Sequence, residues 1–320
     1  LDREVLVIMI YTLTLNPALD KELTVPEIVF DTVLRASAER VDFGGKGFNV
    51  SRALAALGQE SVALGFVGGA TGRLIATGLA ELGIKTAFVE IGQETRTNVS
   101  IVSQSQAHHL KVNEAGPTIS PAEQASLLAK IEALAQPGDW WVLSGSLPPG
   151  LAPAIYGDII QRIQAADARA ILDTSGAPLK LGCAAGPFLA KPNGVEAEQL
   201  TGLPVSSPTE AAAATTAVHG LGVPHVLISL GRAGALLSDG RQSWLATPPA
   251  IRERNPIGAG DASVAGLVWG LSQGLALPDA LRWSMASGAA AASLSGTAVG
   301  SKAQVEPLVD QVKISALELG

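Results

Sequence analysis

The sequence predicts an α/β fold: a mostly parallel central sheet with helices on both faces, three layers in all, and a small β-sheet lid over one edge. Two patterns predict it. Short apolar, β-branched runs alternate with longer helical runs along most of the 320 residues, which is the rhythm of strand–helix–strand units. Two patches, about 21–43 and 95–113, break that rhythm with short pieces of period two. Such pieces read as small strands, and we place both patches together as the lid. No repeat, low-complexity segment or linker divides the chain, so residues 9–320 read as one domain, with residues 1–8 set apart as an extension ahead of Met9.

Each element follows from local pattern. Residues 11–15 form a buried strand that Asn16-Pro17 ends, and 22–25, 33–36 and 40–43 are lid strands. A glycine-rich turn opens a helix to about residue 57; 61–67 is a strand, 71–82 a helix and 87–91 a strand. The second lid patch gives strands at 95–103 and 108–113. Helices at 121–135 and 152–165 alternate with strands at 140–143, 170–173 and 188–190. Helices at 193–200 and 209–219 precede strands at 225–229, 235–238 and 242–245. Helices at 260–273 and 278–293 are rich in Ala, Gly and Ser and therefore pack closely, and a last helix covers about 304–317.

Composition excludes several classes. With 47% hydrophobic and 16% charged residues the chain is a well-buried globular protein. A net charge of -7 gives nucleic-acid binding no electrostatic support. The single cysteine, Cys183, forbids an internal disulfide and suits a reducing cytoplasm. No apolar run reaches the roughly 18 residues of a membrane span. Residues 5–10 are too short for a signal peptide and lack a small-residue cleavage pattern.

The most informative stretch is Asn255-Pro256-Ile257-Gly258-Ala259-Gly260-Asp261. Gly258 and Gly260 permit a tight turn and a close backbone approach. The helix that follows offers free N–H groups and its positive end to an anion. A carboxylate there repels a resting phosphate, but it suits a base that takes a proton from an attacking hydroxyl. The alternative is an ordinary helix start. Gly44-Gly45-Lys46-Gly47-Phe48-Asn49 combines backbone N–H groups, a charge and an amide without Walker spacing; otherwise it is a connection with a solvated lysine. Ser146, in the turn after strand 140–143, lies where open α/β sheets collect ligands. Asn193 and Glu196 lie one helical turn apart and suit water on magnesium, or else cap a helix. Ser229, Gly231 and Gly234 let a nucleotide pass over a strand end, or form a hairpin turn. The histidines show no metal-ligand spacing.

In this order the pieces resemble the ribokinase-like sugar kinases, specifically the branch of phosphofructokinase B, 1-phosphofructokinase and tagatose-6-phosphate kinase. The likeness rests on residues 12–20 (TLTLNPALD), 44–49, 95–98 (TRTN), 143–150 (LSGSLPPG), 191–196 (KPNGVE), 229–234 (SLGRAG) and 258–261. It implies an ATP-dependent kinase working with magnesium. Asp261 matches the catalytic base, and Gly258, Ala259 and Gly260 the anion hole. Asp20, Gly45, Asn49, Arg96 and Ser146 match sugar-phosphate contacts, with Lys46 beside them. Lys191, Asn193, Glu196, Ser229, Gly231 and Gly234 match the nucleotide region, Asn193 and Glu196 that of the metal. The family's lid also serves as a homodimer clasp, and Arg35 matches a position that reaches the partner's site. Pro256-Ile257 departs from the Thr-Val of many relatives. Together with residues 114–117 and 172–176 it looks closer to the tagatose-6-phosphate kinases, and the chain near Ser295-Gly296 also differs from relatives with a monovalent-cation site.

The expected function is phosphoryl transfer from ATP to a ketohexose phosphate: tagatose 6-phosphate, fructose 1-phosphate or fructose 6-phosphate. Lys46 and Arg96 are expected to meet the acceptor's own phosphate. Three alternatives stand beside it. One is a kinase of an unphosphorylated sugar or nucleoside. Another is a dinucleotide-dependent oxidoreductase using Gly258-x-Gly260, against which Ser263 occupies the sixth position. The last is a non-catalytic sugar-phosphate-binding protein, which Asp261 argues against.

Overall fold

The computed structural model describes residues 8–106 and 108–317; of the extension set apart at 1–8, only Ile8 is among them. The chain opens with β1 (Ile10–Thr14), β2 (Ala18–Val25), β3 (Ala38–Gly44) and α1 (Lys46–Ala56). Next come β4 (Val62–Gly68), α2 (Gly69–Glu81), β5 (Lys85–Thr86), β6 (Val89–Ile91), β7 (Arg96–Ser103) and β8 (His109–Val112). The middle runs α3 (Pro121–Leu134), β9 (Trp140–Ser144), α4 (Ile155–Ala165), β10 (Arg169–Asp173), α5 (Gly176–Cys183) and β11 (Leu189–Ala190). It continues with α6 (Gly194–Thr201), α7 (Pro208–His219), β12 (His225–Ser229), β13 (Ala235–Ser238) and β14 (Ser243–Thr247). Then come α8 (Ala259–Ser272), α9 (Leu277–Ala292), α10 (Lys302–Val309) and β15 (Lys313–Leu317).

The large sheet has 11 strands in the order β15-β14-β13-β12-β11-β10-β9-β1-β4-β5, with β6 also on β4. It is parallel from β12 to β5 and antiparallel from β12 to β15. Its central strands are apolar on both sides, as burial under two helix layers requires. Along β9, Trp141 and Leu143 join the core beneath α3–α7, while Trp140 and Val142 join that beneath α1 and α8–α10. Helices α8 and α9 touch because Gly266 and Gly270 carry no side chain: a Cβ at Gly266 would strike the Trp283 carbonyl, and one at Gly270 would lie 2.9 Å from Ala280 Cα.

The two irregular patches do meet in one sheet, ordered β3-β2-β7-β8. β2 begins at Ala18, earlier than the sequence reading, so Asp20 lies on a strand opposite Asn98 of β7. Phe43 at the end of β3 rests on Gly78 of α2, where no Cβ fits. Residues 33–36 are not a strand but part of an exposed excursion between β2 and β3; no neighbouring strand is there to pair them. The expected helix at 304–317 ends at Val309, after which β15 pairs antiparallel with β14. Ile314 and Leu317 are half-buried and the other three residues of 313–317 exposed along that edge, and pairing outweighs helix propensity there. α5 was not foreseen; the expected strand at 87–91 is shortened to β6 (Val89–Ile91), and β5 (Lys85–Thr86) ahead of it was not foreseen either.

Gly65 of β4 lies against β1, and a Cβ there would overlap the Thr14 carbonyl oxygen. Gly65→Ala should force β1 and β4 apart next to the site and remove about 1–3 kcal/mol of stability. Urea unfolding at neutral pH reads this directly; an unchanged midpoint would show that the strands yield freely.

Candidate active site

Gly258, at φ 81, caps α8 in the left-handed region and turns the chain into the helix. Asn255 fixes the approach: its Oδ1 accepts the Ile257 N–H at 3.1 Å and its Nδ2 donates to the Gly296 carbonyl at 2.7 Å. The Ala259 N–H folds back on the Pro256 carbonyl. The amides of Gly260 and Asp261 have no acceptor among the described residues, as expected for a first helical turn. Open space adjoins them, since a Cβ at Gly260 would meet nothing within 4 Å.

Asp261 is the third residue of α8 and only 8% exposed. Asn49, on the first turn of α1, donates to its Oδ2 at 2.8 Å. Burial pushes the carboxyl up to about 6, with the like charge of Asp173 adding to the rise; Asn49, Lys46 and Lys191 oppose it. The result is a carboxylate ionised at neutral pH yet basic enough to accept a proton.

Lys46 is the first residue of α1, and its ammonium lies 3.2 Å from Asp173 Oδ1. Lys191, just beyond β11, lies 3.3 Å from the same oxygen. Burial by itself would lower Lys46, but the attraction of Asp173, Asp261 and Glu196 outweighs it and holds the ammonium above its ordinary value. The sequence reading expected Lys46 to meet the acceptor's phosphate; in the structure it lies beside Asp173, in the field of Asp261. Asp173, quoted there only as part of a motif, had been given no role. A charged residue closing an apolar strand, 170–173, was the available signal.

On the lid side, Asn98 Nδ2 donates to Asp20 Oδ1 at 2.8 Å. A Cβ at Gly44 would overlap the Asp20 carboxylate, and Gly45, at φ 151, lies against Thr14. Arg96 donates to the carbonyls of Glu114 at 2.8 Å, Asn16 at 2.9 Å and Pro17 at 3.4 Å. Its guanidinium thus ties the lid to the core, with two of its five N–H groups left for a ligand. Asn16 and Asn98 are buried residues that the sequence reading missed, and each keeps an unpartnered side-chain oxygen. Ser146 is exposed in the turn after β9. That turn is fixed by Tyr156 and Thr174, which both donate to the Gly145 carbonyl. Arg35 sits on the exposed β2–β3 connection, away from these groups, with no hydrogen bond or ion pair among the described residues.

The nucleotide candidates also converge. Asn193 bridges to Ser229 in parallel fashion, and Ser229 N–H donates to the Pro192 carbonyl. Asn193, Ser229 and Gly231 line a cavity of about 380 Å³ with Glu198, Val205 and Leu230 among its walls. Gly231 and Gly234 take positive φ on either side of a tight turn. Asn193 and Glu196 form a full capping box: Asn193 Oδ1 accepts the Glu196 N–H and Glu196 Oε2 accepts the Asn193 N–H. The described residues contain no cluster of three or more His, Cys, Asp or Glu suited to a metal, and none of their helices is long and apolar enough to cross a membrane.

Known proteins match this chain over most of its length. A 1-phosphofructokinase from Bacillus subtilis is 37% identical over 97% of this chain and 100% of its own length. A tagatose-6-phosphate kinase from Staphylococcus epidermidis is 36% identical over 82% and 85%. The crystal structure of Escherichia coli phosphofructokinase-2 with potassium superposes with a TM-score of 0.90 at 31% identity, covering 95% of this chain and 99% of that one. The profile of the pfkB family carbohydrate kinases spans residues 9–304. With a family match over nearly the whole chain and relatives above 30% identity across most of it, the chain belongs to the pfkB family of carbohydrate kinases.

Proposed function

We propose that this chain is an ATP-dependent kinase that phosphorylates a free hydroxyl of a ketohexose phosphate, giving the bisphosphate. One observation carries the mechanism: a buried, Asn49-bound carboxylate with raised basicity stands at an open helix start. Asp261 takes the proton of the acceptor hydroxyl as its oxygen attacks the γ-phosphorus of ATP. The P–O bond to ADP breaks, and ADP leaves with the bridging oxygen. The free amides of Gly260 and Asp261 stabilise negative charge on the transferring group. Asp20, held by Asn98, is suited to sugar hydroxyls, and Arg96 to the acceptor's phosphate. Relatives of both names lie at nearly equal identity, so overall identity does not select between them. Fructose 1-phosphate is the first acceptor to try, then tagatose 6-phosphate and fructose 6-phosphate. An unphosphorylated acceptor used equally well would overturn the substrate class.

Magnesium fits the donor set. Glu196 keeps one carboxylate oxygen outside the capping box, and Mg²⁺ commonly takes one or two carboxylates with phosphates and waters. Glu196, with Asn193 beside it, would hold the ion, which supplies charge neutralisation at the phosphate oxygens. A reducing cytoplasm supplies ATP and suits a lone thiol.

A lid-mediated homodimer fits the open faces of the lid. Its outer strands β3 and β8 are unpaired edges, which natural sheets protect. Phe30 is 74%, Val33 81% and Val112 66% exposed. Arg35, between these apolar residues, is then placed to reach the partner. An E. coli phosphofructokinase-2 is known in a tetrameric inhibited form.

Three outcomes follow. Asp261→Asn should keep ATP binding and lose roughly 10²–10⁴-fold in turnover, while kcat/KM of the unaltered enzyme should fall as pH drops through about 6. Because the folded carboxyl binds its proton more tightly than the unfolded one, its stabilisation is lost as pH rises through about 6. The permanently neutral Asn should therefore raise stability at pH 8 by about 2–3 kcal/mol; rate profiles and urea unfolding at two pH values check both. Arg96→Ala should raise the sugar-phosphate KM roughly ten- to a hundredfold and leave that for ATP nearly unchanged in parallel kinetics. Phe30→Asp should yield monomers in sedimentation velocity, whereas an unchanged sedimentation coefficient would remove the lid from the interface.

A further inference from the structure

Across three adjacent strands the last residues fall in register: Thr14 of β1 beside Ser144 of β9, and Ser144 beside Asp173 of β10. Strand alternation puts all three on the face that carries α1 and α8. Thr14 and Ser144 keep buried hydroxyls without a hydrogen-bond partner. Asp173 is 1% exposed, and its recorded side-chain contacts are Lys46 and Lys191, both on one oxygen. Those lysines come from elements far apart in the chain, the start of α1 and the end of β11.

A phosphate cradle gains nothing in affinity from a buried carboxylate, because the carboxylate repels the ligand and offsets one of the two cations. It does gain geometry. A lysine stem has many rotamers, and a fixed carboxylate selects one for each ammonium. We infer that Asp173 is a positioning residue: it aims Lys46 and Lys191 as a pair at the transferring phosphoryl group. Lys46 then acts on the group in flight rather than on the phosphate the sugar already carries. The groups facing Asp261 are Asn49, Lys46, Lys191 and Asp173, and Asp173 is the one anion among them. This rests on Asp261 being the base, which the rate of Asp261→Asn tests separately.

Two variants test it. Asp173→Asn keeps the shape and removes the charge. It should lower kcat roughly tenfold or more, leave the ATP KM unchanged or smaller, since a repulsion is gone, and move the acid limb of the rate profile to lower pH. Asp173→Glu, which restores charge, should recover part of kcat and return the limb. A residue needed only for folding would lower the active fraction and the melting temperature, with KM and the limb unmoved; that result overturns the inference. Lys46→Met is tolerant in folding, because the side chain is 42% exposed. It should lower kcat with the sugar-phosphate KM within a fewfold. A large rise in that KM with kcat intact would put Lys46 on the sugar's resident phosphate and overturn the pairing.

Discussion

An ionised carboxylate in a buried place is the constraint the site is built around. As the proposed base, Asp261 would have to be charged to accept a proton, and burial opposes that charge. The fold keeps it ionised at neutral pH with one hydrogen bond from Asn49 and two nearby ammoniums, and keeps it basic with a second buried carboxylate, Asp173. Removing water makes every one of these interactions stronger than it would be on the surface.

The sheet supplies the positions. Parallel strands present their carboxyl ends along one edge, and helices begin there with unpaired amides. In this protein β1, β9, β10, β11 and β12 end at that edge, and α1, α6 and α8 begin there. Glycines admit the close approaches: Gly45 and Gly47 under Thr14, and Gly266 and Gly270 where α8 lies on α9. The α8 N-terminus also lies close on α9, where a Cβ at Gly288 would meet the Ala259 carbonyl oxygen at 3.1 Å.

The lid is attached differently. It meets the body through Phe43 on Gly78, through Arg96 on three main-chain carbonyls, and through the short turn from β1 to β2. Those contacts sit at its base, while its far edges and the 26–37 excursion face outward with exposed apolar residues. A sheet held at one end and apolar at the other is suited to closing on a ligand and to meeting a second copy.

The alternation of apolar runs determined the α/β architecture, because a strand buried on both faces and an amphipathic helix each require their own periodicity. Short-range chemistry was equally legible: the positive-φ turn at Gly258, the Asn193–Glu196 cap, and the small residues of α8 and α9 all depend on neighbours within a few positions. Asp261 was legible for the same reason, since base and anion turn are contiguous. What the chain could not show locally was decided by the fold. β15 is a strand because an open edge was there to receive it, and 33–36 is not because none was. Arg96 is bound to carbonyls of residues about 80 and 18 positions away. Asp173 gained its place only when parallel pairing set β10 beside β9 and β11, and so brought lysines from positions 46 and 191 to one oxygen. Local sequence fixes dihedral preference and periodicity; the meeting of distant charges depends on strand order, which no single segment encodes.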